Sequence, residues 1–333
     1  EAGIVSGTGN GLFGVGNIVS RQDAAVMCHR IMIKKNKLPM YGMKFSFADT
    51  GDISDYAAEA VSALESAGIE DYVFEAKQII KHITGFSNSE ILMNYTNALT
   101  AFQQNNLTAI IKQRQLRYPL QYIFGEWSFY GRDFYVGPGV LVPRADTEIT
   151  AEKCLDFLKA VKNPQILDLC AGSGCIGITL AKEREDAAVT LLEKFPEAAR
   201  YAEKNIKRQS AVNARLLTGD VLLGNGGDKL YDLIVSNPPY IPKNEMKIIS
   251  PETKYEPETA LLGGEDGLDF YRAVINNYTA CLKNGGMMCF EVGINEAQAV
   301  TELLCAAGLK NIGVKKDLNG IDRTVYGFKN TEG

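Results

Sequence analysis

The sequence predicts an α/β fold whose main sheet has seven strands, most of them parallel, with helices packed on both faces. Three observations support this prediction. After about residue 163, short apolar segments alternate with helical segments, a pattern typical of parallel sheets covered on both sides. A glycine-rich segment follows the first apolar segment, as in Rossmann-like folds. The last two candidate strands are separated by Asn319-Gly320, a turn pair typical of an antiparallel hairpin.

The candidate strands and helices of this sheet domain follow from the alternation. The seven candidate strands are Gln165–Leu169, Ala188–Leu192, Ala214–Thr218, Asp232–Ser236, Met287–Val292, Asn311–Lys316 and Arg323–Phe328. The helical segments between them include Pro196–Arg208, Gly267–Leu282 and Glu296–Ala307.

The chain before the sheet has a different texture. Apolar side chains recur at three- and four-residue spacing from Val73 to Ile83, and Ser87-Asn88-Ser89-Glu90 is typical of a helix start. Polar and apolar residues alternate in Trp127–Val142 around Gly131, which indicates a β-hairpin. We therefore divide the chain into residues 1–57, a short helical segment; 58–125, a helical domain; 126–163, a β-hairpin and lead-in helix; and 164–330, the sheet domain.

Composition argues against several classes of function. The net charge is −5, so we expect no basic nucleic-acid footprint and no stable nucleic-acid partner. The seven cysteines are scattered without a C-x-x-C pair and only two histidines occur, so we expect reduced thiols and no metal site. No apolar run approaches the ~18 residues that a membrane-spanning helix needs.

The segment after the first strand has the residues of a nucleotide site. Asp168 precedes Cys170, Ala171, Gly172, Ser173 and Gly174, and with Gly177 these glycines match the dinucleotide pattern G-x-G-x-x-G. Glycines there allow a ligand to approach the backbone at the start of a helix. The match alone is weak, because a glycine-rich turn without a ligand also satisfies it.

Two acidic residues favour S-adenosylmethionine over NAD as the ligand. Asp168 lies within the strand before the loop and suits a cationic amino-acid group rather than a pyrophosphate. Glu193 follows the second strand, where a carboxylate accepts from ribose hydroxyls, although an exposed loop acid is the alternative. Asp220-Val221 ends the third strand region and is a candidate adenine contact, or else Asp220 caps the following turn.

The fourth strand leads into Asn237-Pro238-Pro239-Tyr240, which we interpret as the catalytic segment. Two consecutive prolines remove two N–H donors, so the loop presents carbonyl oxygens. The Asn237 side-chain carbonyl and the Pro238 carbonyl then accept both hydrogens of a substrate NH2 group, and Tyr240 offers a ring for stacking. The same interactions would stabilise positive charge on nitrogen during methyl transfer, without a dedicated base. The acceptor predicted in this way is a planar amide or amine nitrogen.

These motifs resemble the protein-glutamine N5-methyltransferases that modify peptide-chain release factors, the HemK/PrmC family. The resemblance covers residues 58–329 and includes Pro119–Gly125, Leu141–Glu148, Tyr255–Pro257 and Gly263–Tyr271. It implies a class I methyltransferase fold, S-adenosylmethionine as cofactor, and the glutamine of the release factor's Gly-Gly-Gln motif as methyl acceptor. It also implies that the helical domain binds the release factor.

The resemblance also has implications for single positions. The Pro-Arg-x-Asp-Thr-Glu stretch favours a release factor over a ribosomal-protein substrate and makes Arg144 and Glu148 candidate substrate-binding residues. Two residues depart from the usual pattern. Cys170 replaces a common glycine, and Glu193 replaces a common aspartate.

The N-terminal segment resembles a different family. Val19–Ala25 and Phe47–Ser54 are similar to parts of S-layer homology repeats, which bind bacterial cell walls outside the cell. Incomplete repeats do not stack into a stable unit, so we interpret this segment as a truncated fusion or a mis-joined reading frame. We expect the catalytic part to be cytoplasmic.

Three other functions remain open from the residues. An adenine-N6 DNA methyltransferase would use the same tetrapeptide on an exocyclic amine. A cell-wall-binding protein with an inactive passenger domain would use residues 1–57 instead. An NAD-dependent oxidoreductase fits less well, because no Tyr-x-x-x-Lys pair occurs and no histidine follows the loop.

Overall fold

The computed structural model describes residues 55–93, 98–224, 229–317 and 319–330 of the chain. The described residues belong to one compact unit of the chain. The S-layer-like segment expected over residues 1–57 therefore lies outside the described residues, apart from its last three positions. Among the described residues, no helix has the length and hydrophobicity to cross a membrane, and no group of three potential metal ligands occurs.

The first described region is a small helical bundle with its own core. Its helices are α1 (Asp55–Ser66), α2 (Tyr72–Thr84), α3 (Asn88–Met93), α4 (Ala101–Gln115) and α5 (Leu120–Phe124). The predicted helix start at Ser87 is confirmed: Ser87 Oγ accepts from Glu90 N at 3.2 Å, and Glu90 Oε2 accepts from Ser87 N at 2.8 Å. Leu64, Ile79, Ile80 and Leu107 form the centre of this core.

The predicted β-hairpin follows and is shorter than the alternating tract suggested. Strand β1 (Glu126–Phe129) pairs antiparallel with β2 (Arg132–Tyr135). Tyr130 and Gly131 form the two-residue loop, and both have positive φ, 51° and 71°. Such loops match the right-handed twist of the paired strands. The rest of the tract, to Val142, is irregular and leads to α6 (Thr147–Leu158).

The seven-stranded sheet is confirmed. Its strands are β3 (Gln165–Leu169), β4 (Ala188–Glu193), β5 (Ala214–Thr218), β6 (Tyr231–Ser236), β7 (Leu282–Glu291), β8 (Lys310–Lys316) and β9 (Asp322–Phe328). Their order in the sheet is β5-β4-β3-β6-β7-β9-β8. Neighbours from β5 to β7 are parallel, and β9 is antiparallel to both β7 and β8. The connecting helices are α7 (Cys175–Glu183), α8 (Pro196–Arg208), α9 (Asp269–Tyr278) and α10 (Ala297–Ala306).

The largest differences from the predicted boundaries lie between α9 and β7, whereas the other strands and α10 differ by at most one residue at an end. The helix expected over Gly267–Leu282 spans only Asp269–Tyr278, and β7 begins at Leu282 rather than Met287. Gly267 has a φ of 82°, which a right-handed helix does not accommodate. Leu282 is fully buried and pairs with Tyr231 before a register shift in the sheet. Pairing with β6 therefore makes a Lys-Asn-Gly-Gly segment part of β7, although its composition does not predict a strand.

Helices cover both faces of the sheet, as the apolar strands predicted. Ile166 packs on one face against a core that contains side chains of α6 and α7, and Leu167 packs on the other against α9 and α10. Successive residues of a strand point to opposite faces, so a strand buried on both sides is apolar at every position. The carboxyl ends of β3, β4 and β6 therefore meet at one edge.

Buried ion pairs join the helical bundle to the segment between β6 and α9. Arg114 of α4 is 1% exposed, and its guanidinium donates to both carboxylate oxygens of Glu75 at 2.7 and 2.9 Å. It also donates to Glu252 Oε1 at 3.1 Å, and Arg117 donates to Glu252 Oε2 at 3.0 Å. These contacts hold the bundle against the segment that follows the candidate catalytic residues.

We predict that Arg114→Met lowers the free energy of unfolding by about 2 kcal/mol. Breaking a fully buried pair costs ~3–5 kcal/mol, and the two glutamates retain some solvent contact, which reduces the loss. Urea unfolding followed by fluorescence of the single tryptophan, Trp127, measures the change. Lys159→Met removes a surface pair with Asp156 and serves as the control, with no measurable change expected. Equal effects of the two substitutions would contradict this prediction.

Candidate functional site

An open cavity of about 980 Å³, including the solvent at its mouth, lies at the carboxyl ends of β3, β4 and β6. Ligands of open α/β sheets bind at this edge. Most of the predicted site residues line the cavity: Arg144, Asp168, Cys170, Ala171, Gly172, Ser173, Glu193, Asp220, Val221, Asn237 and Pro239. The predicted residues Glu148, Gly174, Pro238 and Tyr240 do not line it.

The buried side chain of Asp168 stabilises the glycine-rich turn by a hydrogen bond to the helix that follows the turn. It is 1% exposed, and its Oδ2 accepts a hydrogen bond from Gly177 N in the first turn of α7 at 2.8 Å. A Cβ atom on Gly177 would lie 2.8 Å from that same oxygen, so only glycine allows this approach. Burial raises the pKa of the Asp168 carboxyl to about 7, against the effect of the Gly177 hydrogen bond. A contact with a cationic ligand group stays a prediction.

Cys170 has a φ of 58°, in the left-handed region that favours glycine. The resemblance noted from the sequence led us to expect glycine at this position, and this backbone geometry gives a physical reason for that expectation. Burial raises the pKa of its thiol well above the ordinary value, so the thiol is neutral near pH 7. The structure assigns it a place in the cavity wall, and not the role of a nucleophile.

Glu193 is a buried residue, 6% exposed, at the end of β4. Its Oε2 accepts from Gly172 N at 2.8 Å, and its Oε1 accepts from Phe195 N at 2.8 Å. The carboxylate thus joins the glycine-rich turn to the start of α8. Each oxygen retains a further lone pair for a ligand hydroxyl. These contacts exclude the alternative of an exposed loop acid.

Asp220 caps the turn that follows it, which is one of the two roles that the sequence analysis considered for this residue. Its Oδ1 accepts from Leu222 N at 3.0 Å at the start of a short 3-10 turn. Its Oδ2 lies 2.8 Å from Lys194 Nζ. Asp220 also lines the cavity, so the cap and a ligand contact are compatible.

Asn237 presents an oxygen that nothing in the described chain satisfies. Its Nδ2 donates to Thr147 Oγ1 at 3.3 Å, while its Oδ1 is buried without a hydrogen-bond partner among the described residues. No group of the described chain donates to the Pro238 carbonyl oxygen either. Buried polar atoms normally have partners, so the Asn237 oxygen is available for an N–H donor of a ligand. Pro238 does not line the cavity, so acceptance by its carbonyl oxygen stays a prediction.

Tyr240 lies behind the cavity wall. Its ring packs among the apolar residues around α9 and contacts the position where Gly293 would carry a Cβ, at 3.1 Å. Burial raises the pKa of its phenol well above the ordinary value, and the Glu291 carboxylate adds to that effect. A ring placed there supports the tetrapeptide loop, and stacking on a substrate stays a prediction.

Arg144 and Glu148 have separate partners. Arg144 pairs with Glu256, which is buried and also accepts from Val142 N at 3.0 Å. This pair holds the cavity wall formed by residues 140–144. Glu148 accepts from Tyr130 N at 2.7 Å and so ties α6 to the hairpin loop.

The sequence analysis missed several residues of the site. Thr147 lies inside the Pro-Arg-x-Asp-Thr-Glu stretch, but nothing in the sequence indicated its contact with Asn237. Glu291 ends β7, and β6 and β7 are parallel neighbours that pair Ser236 with Phe290. A charged residue near the carboxyl end of an otherwise apolar parallel strand is the sequence signal that could have identified it. Phe270, in the first turn of α9, and Thr259, in a short 3-10 turn, also line the cavity, and the sequence analysis assigned neither of them to the site.

Comparisons with known proteins agree with this geometry. Family models match as PrmC N-terminal domain over residues 55–125, as methyltransferase small domain over residues 138–250, and as S-layer homology domain over residues 1–25. The hMettl16 catalytic domain, solved in complex with MAT2A 3′UTR hairpin 1, is 12% identical with a TM-score of 0.50. The match covers 67% of this chain and 81% of that chain. This likeness shows the class I methyltransferase fold alone.

Curated relatives extend the match to most of their own length. The release factor glutamine methyltransferase of Thermodesulfovibrio yellowstonii is 38% identical, over 75% of this chain and 90% of the relative. That of Geobacter sulfurreducens is 37% identical, over 79% of this chain and 92% of the relative. The expected resemblance is confirmed, and the chain belongs to the release factor glutamine methyltransferase family, whose members are methyltransferases.

Proposed function

We propose that this protein transfers a methyl group from S-adenosylmethionine to the side-chain amide nitrogen (N5) of the glutamine in the Gly-Gly-Gln motif of peptide-chain release factors, in the cytoplasm. One observation carries the proposal: the Asn237 Oδ1 atom is buried at the cavity wall with no partner among the described residues. A glutamine amide offers the N–H donors that this oxygen requires. The printed names of the relatives support the choice of acceptor.

The proposed chemistry explains the two free acceptors. An amide nitrogen is a poor nucleophile because its lone pair is delocalised into the carbonyl. Asn237 Oδ1 and Pro238 O would hold the two N–H groups and so orient the nitrogen toward the methyl donor. Orientation of this kind lowers a barrier by up to ~7–11 kcal/mol. The same oxygens stabilise the positive charge that develops on nitrogen, and one N–H proton leaves to solvent after the transfer.

The cavity fits the methyl donor by its charge and its backbone. S-adenosylmethionine supplies, when bound, a methyl group on a positively charged sulfur. The cavity wall contains the carboxylates of Glu193 and Asp220, which favour a positively charged ligand, and the buried Asp168 carboxyl, whose ionised form such a ligand would stabilise. Glu193 Oε1 and Oε2 would accept from ribose hydroxyls, Asp220 and Val221 would contact the adenine, and the turn from Cys170 to Gly174 would approach the amino-acid part.

In this proposal, each of four regions of the chain has a separate role. Residues 58–125 form the release-factor-binding domain, which the match to the PrmC N-terminal model over residues 55–125 supports. Residues 126–163 connect it to the methyltransferase domain at residues 164–330. Arg144 and Glu148 lie in the connection and would help to position the release-factor loop. Residues 1–57 would add at most a cell-wall contact.

Methylation of a release factor tests the proposed acceptor directly. We expect purified protein, S-adenosylmethionine and a bacterial release factor to yield one added methyl group on the Gly-Gly-Gln peptide, detected by mass spectrometry. A release factor with that glutamine replaced by glutamate lacks the amide and is the control. An unmodified peptide, or transfer of the label to DNA instead, would exclude the proposal.

Asn237→Ala removes the free acceptor oxygen. We expect turnover to fall by at least ~1000-fold, because loss of a donor or acceptor aimed at developing charge costs ~10²–10³ and orientation is lost as well. The dissociation constant for S-adenosylmethionine should change less than threefold, measured by calorimetry. Asn276→Ala alters an exposed asparagine on α9 and should leave both values unchanged. Near-normal turnover of Asn237→Ala would show that another group orients the nitrogen.

The substitution Glu193→Gln tests the proposed binding site of S-adenosylmethionine in the absence of a methyl acceptor. A glutamine places an NH2 group against either Gly172 N or Phe195 N, so one donor faces another. We expect the dissociation constant for S-adenosylmethionine to rise ~10–100-fold, equivalent to ~1.4–2.7 kcal/mol. Glu197→Gln changes a glutamate outside this cavity and is the matched control. Equal affinities of the two variants would remove Glu193 from the site.

A further inference from the structure

One buried side-chain amide connects the β-hairpin to the glycine-rich turn. Asn205 of α8 is 0% exposed and makes three hydrogen bonds to backbone groups. Its Oδ1 accepts from Tyr135 N at 2.7 Å, and its Nδ2 donates to Tyr135 O at 3.0 Å. The same Nδ2 donates to Ser173 O at 2.9 Å. A single side chain therefore holds the last residue of β2 and a residue of the turn that lines the cavity.

The Ser173 carbonyl depends on Asn205 for a donor. Ser173 is 3% exposed and lies two residues before α7. The Gly177 N–H, in the first turn of that helix, donates to Asp168 Oδ2. In the described part of the chain, the group that donates to Ser173 O is Asn205 Nδ2. Because a buried carbonyl without a donor costs free energy, this bond favours the observed position of the turn.

The hairpin exit, which we define as residues 135–144, begins by following α8 at close distance. A Cβ atom on Gly137 would lie 2.2 Å from the Tyr201 hydroxyl oxygen, and one on Gly139 would lie 2.8 Å from Glu197 Cβ. Every second residue from 135 to 139 therefore faces every fourth residue of α8: Asn205, Tyr201 and Glu197. Four residues of a helix rise ~6.0 Å and two residues of a strand ~6.6 Å, so the chain that leaves β2 can follow the helix in this register.

This register determines where one part of the cavity wall begins. Residues 139–144 of the hairpin exit line the cavity, directly after the part that follows α8. Tyr122 OH donates to Val140 O at 2.6 Å, which fixes the same stretch from the helical bundle. The glycine-rich turn lines the cavity as well. Asn205 therefore bonds to the turn itself and to the residue from which the hairpin exit starts.

We propose that Asn205 is a positioning residue for the methyl donor: its amide fixes the glycine-rich turn relative to the hairpin exit, so that the donor pocket is formed before the ligand binds. The identity of the donor rests on the proposed function, whereas the contacts of Asn205 do not. A pocket formed in advance binds its ligand more tightly, because no ordering of its walls opposes binding. The turn would approach the amino-acid part of the donor, so Asn205 acts on the affinity for that part.

Asn213 is a matched control for Asn205. Its Nδ2 also makes three hydrogen bonds to backbone groups, donating to Ala181 O at 3.0 Å, to Arg184 O at 3.0 Å and to Ala187 O at 3.1 Å. It directly precedes β5, at the edge of the sheet opposite the cavity. An alanine at either position removes three side-chain hydrogen bonds, so a general loss of stability would affect both variants.

Calorimetry with two ligands tests the effect on the pocket. We expect Asn205→Ala and Asn205→Leu, which keeps a similar shape without polar atoms, each to raise the dissociation constant for S-adenosylmethionine by ~10–100-fold. Asn213→Ala should stay within ~3-fold of wild type. 5′-Methylthioadenosine lacks the amino-acid part of the donor, so its dissociation constant should change less than ~3-fold in every variant. Wild-type affinity for S-adenosylmethionine in Asn205→Leu, or equal losses for the two ligands, would overturn the proposal.

Amide hydrogen exchange tests the same contacts in protein without ligand. The wild-type Tyr135 N–H donates to a buried oxygen, so we expect it to be protected at least ~100-fold before any ligand is added. In Asn205→Ala, the amides of Tyr135 and of Gly174, which donates to Ala171 O within the turn, should exchange at least ~10-fold faster. Asn213→Ala should leave both rates within ~3-fold of wild type. A wild-type Tyr135 amide protected only after S-adenosylmethionine binds would show that the ligand forms the pocket, and this result needs no variant to fold.

The outcomes separate this proposal from the proposed function. If the wild-type protein binds S-adenosylmethionine but does not methylate the release factor, the acceptor is wrong and the affinities of the Asn205 variants still decide the positioning role. If the wild-type protein does not bind S-adenosylmethionine, the donor is wrong, and the exchange rates decide whether Asn205 holds the turn for a different ligand. An unchanged exchange rate at Gly174 in Asn205→Ala overturns the role of Asn205 in both cases.

Discussion

The parallel pairing of β6 between β3 and β7 is the constraint on which the site depends. It aligns Leu169 with Ser236 and Ser236 with Phe290, so Cys170 and Asn237, which follow β3 and β6, lie level with Glu291, the last residue of β7. Parallel strands require crossover helices, and those helices bury both faces of the sheet. The polar residues of the site therefore lie at the carboxyl edge, where backbone groups and short loops replace the apolar core.

Polar groups at this edge differ in how completely they are satisfied. The Glu193 carboxylate accepts two backbone N–H groups, and Asp168 accepts one, so both fix the glycine-rich turn before any ligand binds. Asn237 Oδ1 and Glu291 Oε2 have no partner among the described residues. Buried acceptors without partners lower the free energy of unfolding. Proteins retain such unfavourable groups mainly at functional sites.

The ion pairs around Arg114 connect this edge to the helical bundle. Glu252 lies between β6 and α9, in the segment whose later residues Pro257, Thr259 and Ala260 line the cavity. Tyr255 in the same segment donates to Leu116 O at 2.9 Å, and Glu256 pairs with Arg144 at the cavity wall. One segment therefore contacts the bundle, the connecting stretch and the cavity, so a shift of the bundle would be transmitted to the acceptor side of the site.

The sequence by itself determined the seven strands, the hairpin, the glycine-rich turn and the position of Asn-Pro-Pro-Tyr after β6, because each depends on local periodicity or on residues adjacent in the chain. It did not determine the early start of β7 at Leu282, which depends on pairing with Tyr231. Nor did it determine that Tyr240 lies behind the cavity wall, that Glu148 holds the hairpin, or that Thr147 contacts Asn237 across 90 residues. These contacts depend on which side chains the tertiary packing brings together. The local sequence does not predict them, because their partners are far apart in the chain.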